Sequence, residues 1–245
     1  MSELRVAELW RYPVKSTAGE PMTSMPLDER GPVGDRLWAV CDEDRKLGSG
    51  KNSRRFRRMD GLLDLSSRLV DGTPLITLPN GEVLEGEGES VDRALASALD
   101  RPGVGLRRES DIPHHDDSPI HIITTAGLRW LQELLPESEL DSRRFRPNLV
   151  VDAPGLRPVE QDWIAAELVI GTVRLQVVGP TERCRMVGAP QQELDDDNRV
   201  LKALGVVSDL QFGVYARVLV PGELAVGTAV VVEQPAVSGG SAAWR

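Results

Sequence analysis

The sequence predicts an α+β fold in which β-structure dominates. Most of its apolar segments are short and alternate with polar residues, the period of a strand with one face buried. Asp71-Gly72, Asn80-Gly81 and Ile170-Gly171-Thr172 fall between such segments as hairpin turns, the first two being the commonest type I′ pairs. Only three stretches carry helix signals. Short strands with frequent turns imply barrels or strongly bent sheets.

In chain order, strands are expected over Leu4–Arg11, Leu37–Asp42, Leu62–Arg68 and Leu75–Leu78. Further strands are expected over Asn148–Val151, Ala166–Ile170, Thr172–Val178, Phe212–Val218 and Thr228–Val232. A helix over Ser90–Leu99 opens on Ser90 as its N-cap, and one over Thr125–Leu135 follows Thr124, another capping residue. A third, Asn198–Leu204, is expected to stop at Gly205. The polar segment Arg101–Asp117, with two prolines and two glycines, reads as a domain boundary. The end of the chain, residues 234–245, reads as a disordered tail.

Bulk composition narrows the function. The chain has 245 residues and a net charge of −9, which argues against nucleic acid as a partner. It has no apolar run near the about 18 residues that a bilayer span needs, and no signal-peptide core, so a cytoplasmic protein away from the membrane is expected. Two distant cysteines make no disulfide framework and cannot hold an iron–sulfur cluster, which takes about four cysteine ligands.

Of the two cysteines, Cys41 sits in an apolar strand-like run, whereas Cys184 lies between Arg183 and Arg185 in a turn after a strand. Flanking cations favour a thiolate, which attacks electrophiles or binds soft metals; a single cysteine is also commonly inert packing. In Tyr12-Pro13-Val14-Lys15-Ser16-Thr17 an ammonium, two hydroxyls and backbone N–H groups would suit a phosphate. The same residues would serve as a solvated loop or as a Ser-Lys nucleophile pair. Arg36, just before a strand, offers a bidentate anion contact or a surface pair with Asp35. Arg143-Arg144-Phe145-Arg146-Pro147 packs three arginines into four positions, and Arg146 is expected in extended conformation because proline follows it. The denser run Arg54-Arg55-Phe56-Arg57-Arg58 reads mainly as a solvated loop. His114-His115-Asp116-Asp117 with His121 has metal-ligating residue types, but neighbours on a strand point to opposite faces and disfavour a shared ion. Asp195-Asp196-Asp197 reads as a turn ahead of the third helix, its charge favouring the helix N-terminus over a calcium or magnesium site.

These segments together resemble the MOSC superfamily over about residues 4–233. The resemblance rests on Tyr12-Pro13-Val14-Lys15-Ser16, Gly34-Asp35-Arg36-Leu37-Trp38, Thr124-Thr125-Ala126-Gly127-Leu128 and Phe145-Arg146-Pro147-Asn148. It continues through Asp162-Trp163, Ile170-Gly171, Arg183-Cys184, Phe212-Gly213-Val214-Tyr215, Gly222 and Val226-Gly227. Within the family the chain looks like the two-part proteins related to the mitochondrial amidoxime reducing component. The resemblance implies an N-terminal MOSC-like β-barrel domain over 1–110 packed on a MOSC β-barrel domain over 111–233, with a cofactor between them.

It implies, further, a molybdenum cofactor, a molybdopterin, with Cys184 as catalytic residue and metal ligand. Lys15, Ser16, Arg36, Arg146 and Asn148 would hold the pterin and its phosphate. Arg183, Thr124, Thr125 and Tyr215 would complete the cofactor site. The implied activity is reduction of a small N-hydroxylated or N-oxide substrate. Electrons would come from a separate flavin or iron–sulfur protein, since the chain has no Gly-x-Gly-x-x-Gly motif opening a helix. Two other readings stay open: a sulfur carrier using a Cys184 persulfide, and a protein that binds or stores the cofactor without turnover. A hydrolase using Lys15 and Ser16 is a further alternative. One departure stands out: many relatives follow the cysteine with a threonine pair and an acidic-proline turn, where this chain has Met186-Val187-Gly188-Ala189-Pro190.

Overall fold

A computed structural model describes residues 3–235. The expected tail, 234–245, lies outside the described residues from 236 onward. The largest sheet has eight strands in the order Val230–Glu233, Glu167–Ile170, Val173–Glu182, Gln211–Val220, Ile120–Thr124, Leu149–Asp152, Arg5–Arg11, Glu20–Met22. It therefore draws strands from both ends of the chain. Residues 4–6 meet residues 227–230 through the Arg5–Ala229 bridge and three backbone hydrogen bonds, too short a contact to make a continuous ladder. The expected MOSC barrel is thus a curled sheet that does not close.

Strand alternation divides this sheet into two buried faces. Ile120, Ile122, Leu149, Val151, Leu168, Leu175, Val214 and Ala216 point inward to one apolar core. Ile123, Val150 and Phe212 point the other way, against Phe145 and residues of two helices, α2 (Thr125–Leu134) and α3 (Asn198–Val207). Ile120–Thr124 is buried at every position, which hides it from an alternation test and explains why it is not expected from sequence.

The N-terminal half builds its own core. Trp38–Cys41 lies between Gly105–Arg108 and Leu47–Ser49, with Phe56–Arg58 parallel to the last of these. Ser66–Val70, Thr73–Thr77 and Val83–Glu85 form an antiparallel meander. Val14, Trp38, Val40, Leu62, Leu65, Ile76 and Leu106 pack there with Val91 and Leu95 of the first helix, α1 (Glu89–Ala98). A small fourth sheet pairs Gly222–Ala225 with Ser24–Asp28 and so ties the two halves together.

Several local expectations change. Leu62–Asp64 is a 3-10 turn, and its strand begins only at Ser66, because Gly61 in the left-handed region (φ 86°) starts the turn. The helix expected to be capped by Ser90 starts at Glu89 after Gly88, with no side-chain cap. Gly205 does not stop α3, which runs on to Val207. Asp197 does cap α3, accepting the Arg199 N–H. Both Asp71 (φ 48°) and Gly72 (φ 79°) are left-handed, as a type I′ turn requires. At Asn80-Gly81 only Gly81 (φ 86°) is left-handed; its N–H bonds Leu78 O, so this turn is not type I′. The arginine run at 54–58 is not a loop throughout: Phe56–Arg58 is a strand, and Arg57 and Arg58 pair with Asp42, Asp44 and Asp60.

Candidate active site

Seven chain segments converge on one cleft of about 720 Å³, including its open mouth. The first is the turn after strand Arg5–Arg11. Pro13 brings no N–H, and the chain is held instead by Trp38 N–H to Pro13 O (3.1 Å) and Lys15 N–H to Trp38 O (2.8 Å). Ser16 then adopts φ 65°, and its hydroxyl donates to Gly48 O at 3.0 Å. Lys15 is buried, its Nζ 2.7 Å from Asp116 Oδ1 and 4.8 Å from the Phe56 ring centre. Burial pushes the Lys15 pKa down and Asp116 opposes that shift; Asp116 in turn falls to about 2, because Lys15 outweighs its own desolvation.

The second segment brings Arg36, left-handed at φ 48° and fixed by its N–H to Tyr12 O (2.7 Å). Its guanidinium pairs with buried Asp35, donates to Asn148 Oδ1 (3.2 Å) and Arg146 O (3.2 Å), and lies over the Tyr12 ring. Asp35 accepts the Tyr12 N–H at 2.8 Å, so one carboxylate sets both the turn and the arginine.

The third segment, 143–148, sorts its three arginines. Arg143 turns outward to Asp141 and Glu193. Arg144 is buried and serves the chain, donating to Glu139 O and Asp195 O. Arg146 enters the cleft in left-handed conformation (φ 55°, ψ 48°), where an extended one was expected. It donates to Thr17 O and stacks 4.3 Å from the Tyr12 ring centre, while its Nη2 is buried without a partner. Burial lowers its pKa to about 10.

Sheet register supplies the fourth and fifth segments. His121 and Tyr215 are directly opposite on neighbouring strands, with ring centres 5.9 Å apart. Asn148 donates its N–H to His121 O at 2.8 Å and is fully buried. Gly213 (φ 81°) makes room: a Cβ there would meet His121 Nε2 at 2.4 Å. Burial keeps His121 neutral, its pKa well below 6.5, and pushes Tyr215 up to about 12.

After strand Val173–Glu182, Arg183 N–H bonds Leu210 O and turns the chain to put Cys184, half-buried, on the cleft wall. The Arg183 Nη2 donates to Phe145 O (2.7 Å) and its Nη1 lies 3.4 Å from His121 Nε2, leaving Nε buried without a partner. Arg185 points away, to Asp60 at 3.5 Å, so only one of the two flanking cations faces the cleft.

The cleft thus holds Lys15, Arg36, Lys51, Arg146 and Arg183 against Asp116 and Glu182, a cationic hollow in an acidic chain. Two buried guanidinium donors without partners ask for an acceptor that the protein does not provide. Thr124 and Thr125 stand outside it. The Thr124 hydroxyl caps α2 at Gly127 N–H and donates to buried Glu160; the Thr125 hydroxyl donates to Asp152 and accepts from Ala153 N–H. Both are spent at the start of a helix, which is why a motif match there misleads about contact.

Asp116, His121 and Lys51 line the cleft without having been expected there, and Met186, in the loop after Cys184, lines it as well. A signal for Asp116 existed, since a carboxylate in a His-rich run invites a partner; its partner here is Lys15, 101 positions away. Among the described residues no three His, Cys, Asp or Glu side chains gather closely enough to hold an ion. No helix among the described residues is long and apolar enough to cross a membrane.

Comparison with known proteins agrees with this architecture. Residues 3–98 match the family model of the MOSC N-terminal beta barrel domain, and residues 109–231 that of the MOSC domain. Danio rerio molybdenum cofactor sulfurase is 25% identical over 87% of this chain and 32% of its own length. The chain spans about a third of the length of the sulfurases it matches. Mus musculus mitochondrial amidoxime-reducing component 1 is 26% identical over 81% of this chain and 70% of its own. In the human counterpart identity is 28%, over 73% and 64%. The YUAD protein from Bacillus subtilis superposes with a TM-score of 0.53 at 12% identity, covering 96% of this chain and 97% of that one, and so shares the fold. From the two family models, the strand order and the relatives together, the chain belongs to the MOSC family.

Proposed function

We propose that the cleft binds a molybdenum cofactor through Cys184 and its cations, and that the chain reduces N-hydroxylated or N-oxide substrates with electrons from a separate donor protein. The observation carrying this is the pairing of a half-buried thiol with two partnerless buried guanidinium donors in one cationic cleft. The donor set fits the group. A thiolate suits a soft metal, and the pterin phosphate would accept from Arg146 Nη2 and Arg183 Nε, with Arg36 and Lys15 adding charge. Ser16 and Asn148 would hold those cations in place, as their bonds to Gly48 and Arg36 do now.

When bound, the cofactor supplies two electrons and a site that accepts the substrate oxygen. The overall balance is cleavage of one N–O bond with two electrons and two protons, the oxygen leaving as water. This chain's residues position that event. Tyr215 is protonated throughout the neutral range, so its hydroxyl would donate a hydrogen bond to the substrate oxygen. His121 stays neutral and braces Arg183. Asp116 stays ionised beside Lys15 and would not serve as the acid.

A second reading is favoured by the sulfurases, which match the same region at similar identity: Cys184 would carry sulfur as a persulfide. One experiment separates them. Protein from a host that makes the cofactor is analysed for molybdenum, pterin and cyanolysable sulfur, and assayed with reduced viologen and an amidoxime. The expected result is near-stoichiometric molybdenum and turnover, with turnover abolished in Cys184→Ala while the pterin is retained. Labile sulfur on Cys184 with no molybdenum establishes the carrier reading. Full activity in Cys184→Ala with molybdenum bound overturns the thiolate assignment.

A further inference from the structure

A second cavity of about 690 Å³ adjoins the cationic cleft, and the two share Ser49 and Met186 in their walls. Its character is different. Met59, Leu62 and Leu63, all buried, give it an apolar floor, and Ala189 and Pro190 line it as well. Met186 lies flat on the backbone of Gly50, where a Cβ would come within 2.2 Å of the Met186 Cγ. Only a residue without a side chain at position 50 lets Met186 sit there, and a long unbranched thioether is the side chain best able to yield without leaving a fixed gap. The charged groups around the cavity cancel. Arg58 and Arg185 both reach Asp60, at 3.0 and 3.5 Å, and Asp64 completes two acids against two bases.

An apolar floor under a charge-neutral rim suits a neutral ligand with an apolar body. Adjacency to the wall that carries Cys184 gives that ligand a direction. We propose that this cavity takes the apolar body of the substrate and that Met186 is the partition past which only its small N–O head reaches Cys184. The inference rests on the reductase reading for the head and on this cavity alone for the body. It places substrate selection on Met186, Ala189 and Pro190, which line the cavity just after Cys184 in the chain. Substrates with a neutral apolar body of about ring size are selected over small head groups with only a methyl and over ring-charged analogues, because the charges around the cavity already pair with one another.

Benzamidoxime is the probe. Methyl-resolved NMR of the full chain is expected to show its shifts at Met59, Leu62, Leu63 and Met186. Acetamidoxime, with a methyl in place of the phenyl ring, is expected to bind at least tenfold more weakly, as are ring-carboxylated and ring-aminomethylated derivatives. Ala189→Trp, which puts an indole ring into the cavity, is expected to weaken benzamidoxime binding at least tenfold while molybdenum and pterin content stay unchanged. Shifts absent from the cavity methyls, or equal affinity for the phenyl and methyl probes, would refute the assignment without need of any variant. The two readings fail separately. Cavity binding in a protein that takes up no molybdenum keeps this site and removes the reductase; viologen-driven turnover with an unchanged KM in Ala189→Trp keeps the reductase and removes this site.

Discussion

Glu160 is fully buried in a 3-10 turn over Val159–Trp163, with one carboxyl oxygen held by the Thr124 hydroxyl and the other without a partner. Desolvation outweighs the Thr124 bond and raises its pKa from 4.5 to about 7. The folded state therefore prefers the protonated side chain. A pKa raised on folding contributes stability that is present in full below the unfolded value and lost as pH climbs through the folded one. The window is about pH 4.5 to 7, and at 1.36 kcal/mol per unit the loss across it is about 3 kcal/mol. Glu160→Gln is nearly isosteric, keeps an acceptor for Thr124 and never ionises. Urea unfolding of both proteins at pH 5, 6, 7 and 8 is the assay. Their stabilities should lie close together at pH 5 and diverge with rising pH, the variant gaining by about 3 kcal/mol at pH 8. His114 and His121, whose pKa values burial lowers, act in the opposite direction but equally in both proteins, so the difference isolates Glu160. Two parallel profiles would refute the reasoning. The contact matters for function because Glu160 braces Thr124 at the end of the strand that carries His121 into the cleft.

Arg146→Gln should weaken retention of the pterin about tenfold or more, since a charge-assisted contact is worth about 1.5–3 kcal/mol and 1.4 kcal/mol is tenfold; Arg143→Gln, which alters an outward ion pair, should leave it unchanged, and pterin fluorescence after dialysis measures both. NADH or NADPH alone should drive no turnover of the loaded protein whereas reduced viologen does; turnover with NADPH alone would remove the need for a donor protein. Cys41→Ala should leave turnover intact, because Cys41 is buried in the N-terminal half and burial pushes its thiol up to about 11.

Local chemistry was legible wherever a residue decides its own backbone. Asp71-Gly72 announces a left-handed turn, Thr124 and Asp197 announce helix starts, and alternation over Arg5–Arg11 and Gln211–Val220 announces strands. Such preferences act over a few residues and survive in any fold that uses them. Short strands without alternation, such as Leu47–Ser49 and the wholly buried Ile120–Thr124, exist because neighbours far along the chain pair with them, and no window of sequence contains those neighbours. The site follows the same division. The Tyr12–Ser16 segment and Cys184 were visible as unusual chemistry in unusual places. Which cations serve them was not, because three arginines of one residue type in 143–146 go to three different fates: Arg143 to a surface pair, Arg144 to backbone carbonyls, Arg146 to the cleft. Each fate depends on a long-range partner, and so do the pairing of Lys15 with Asp116 and the Gly213 gap that admits His121. Sequence names the charges; only the packed chain decides which of them are buried, which are neutralised and which are left facing a ligand.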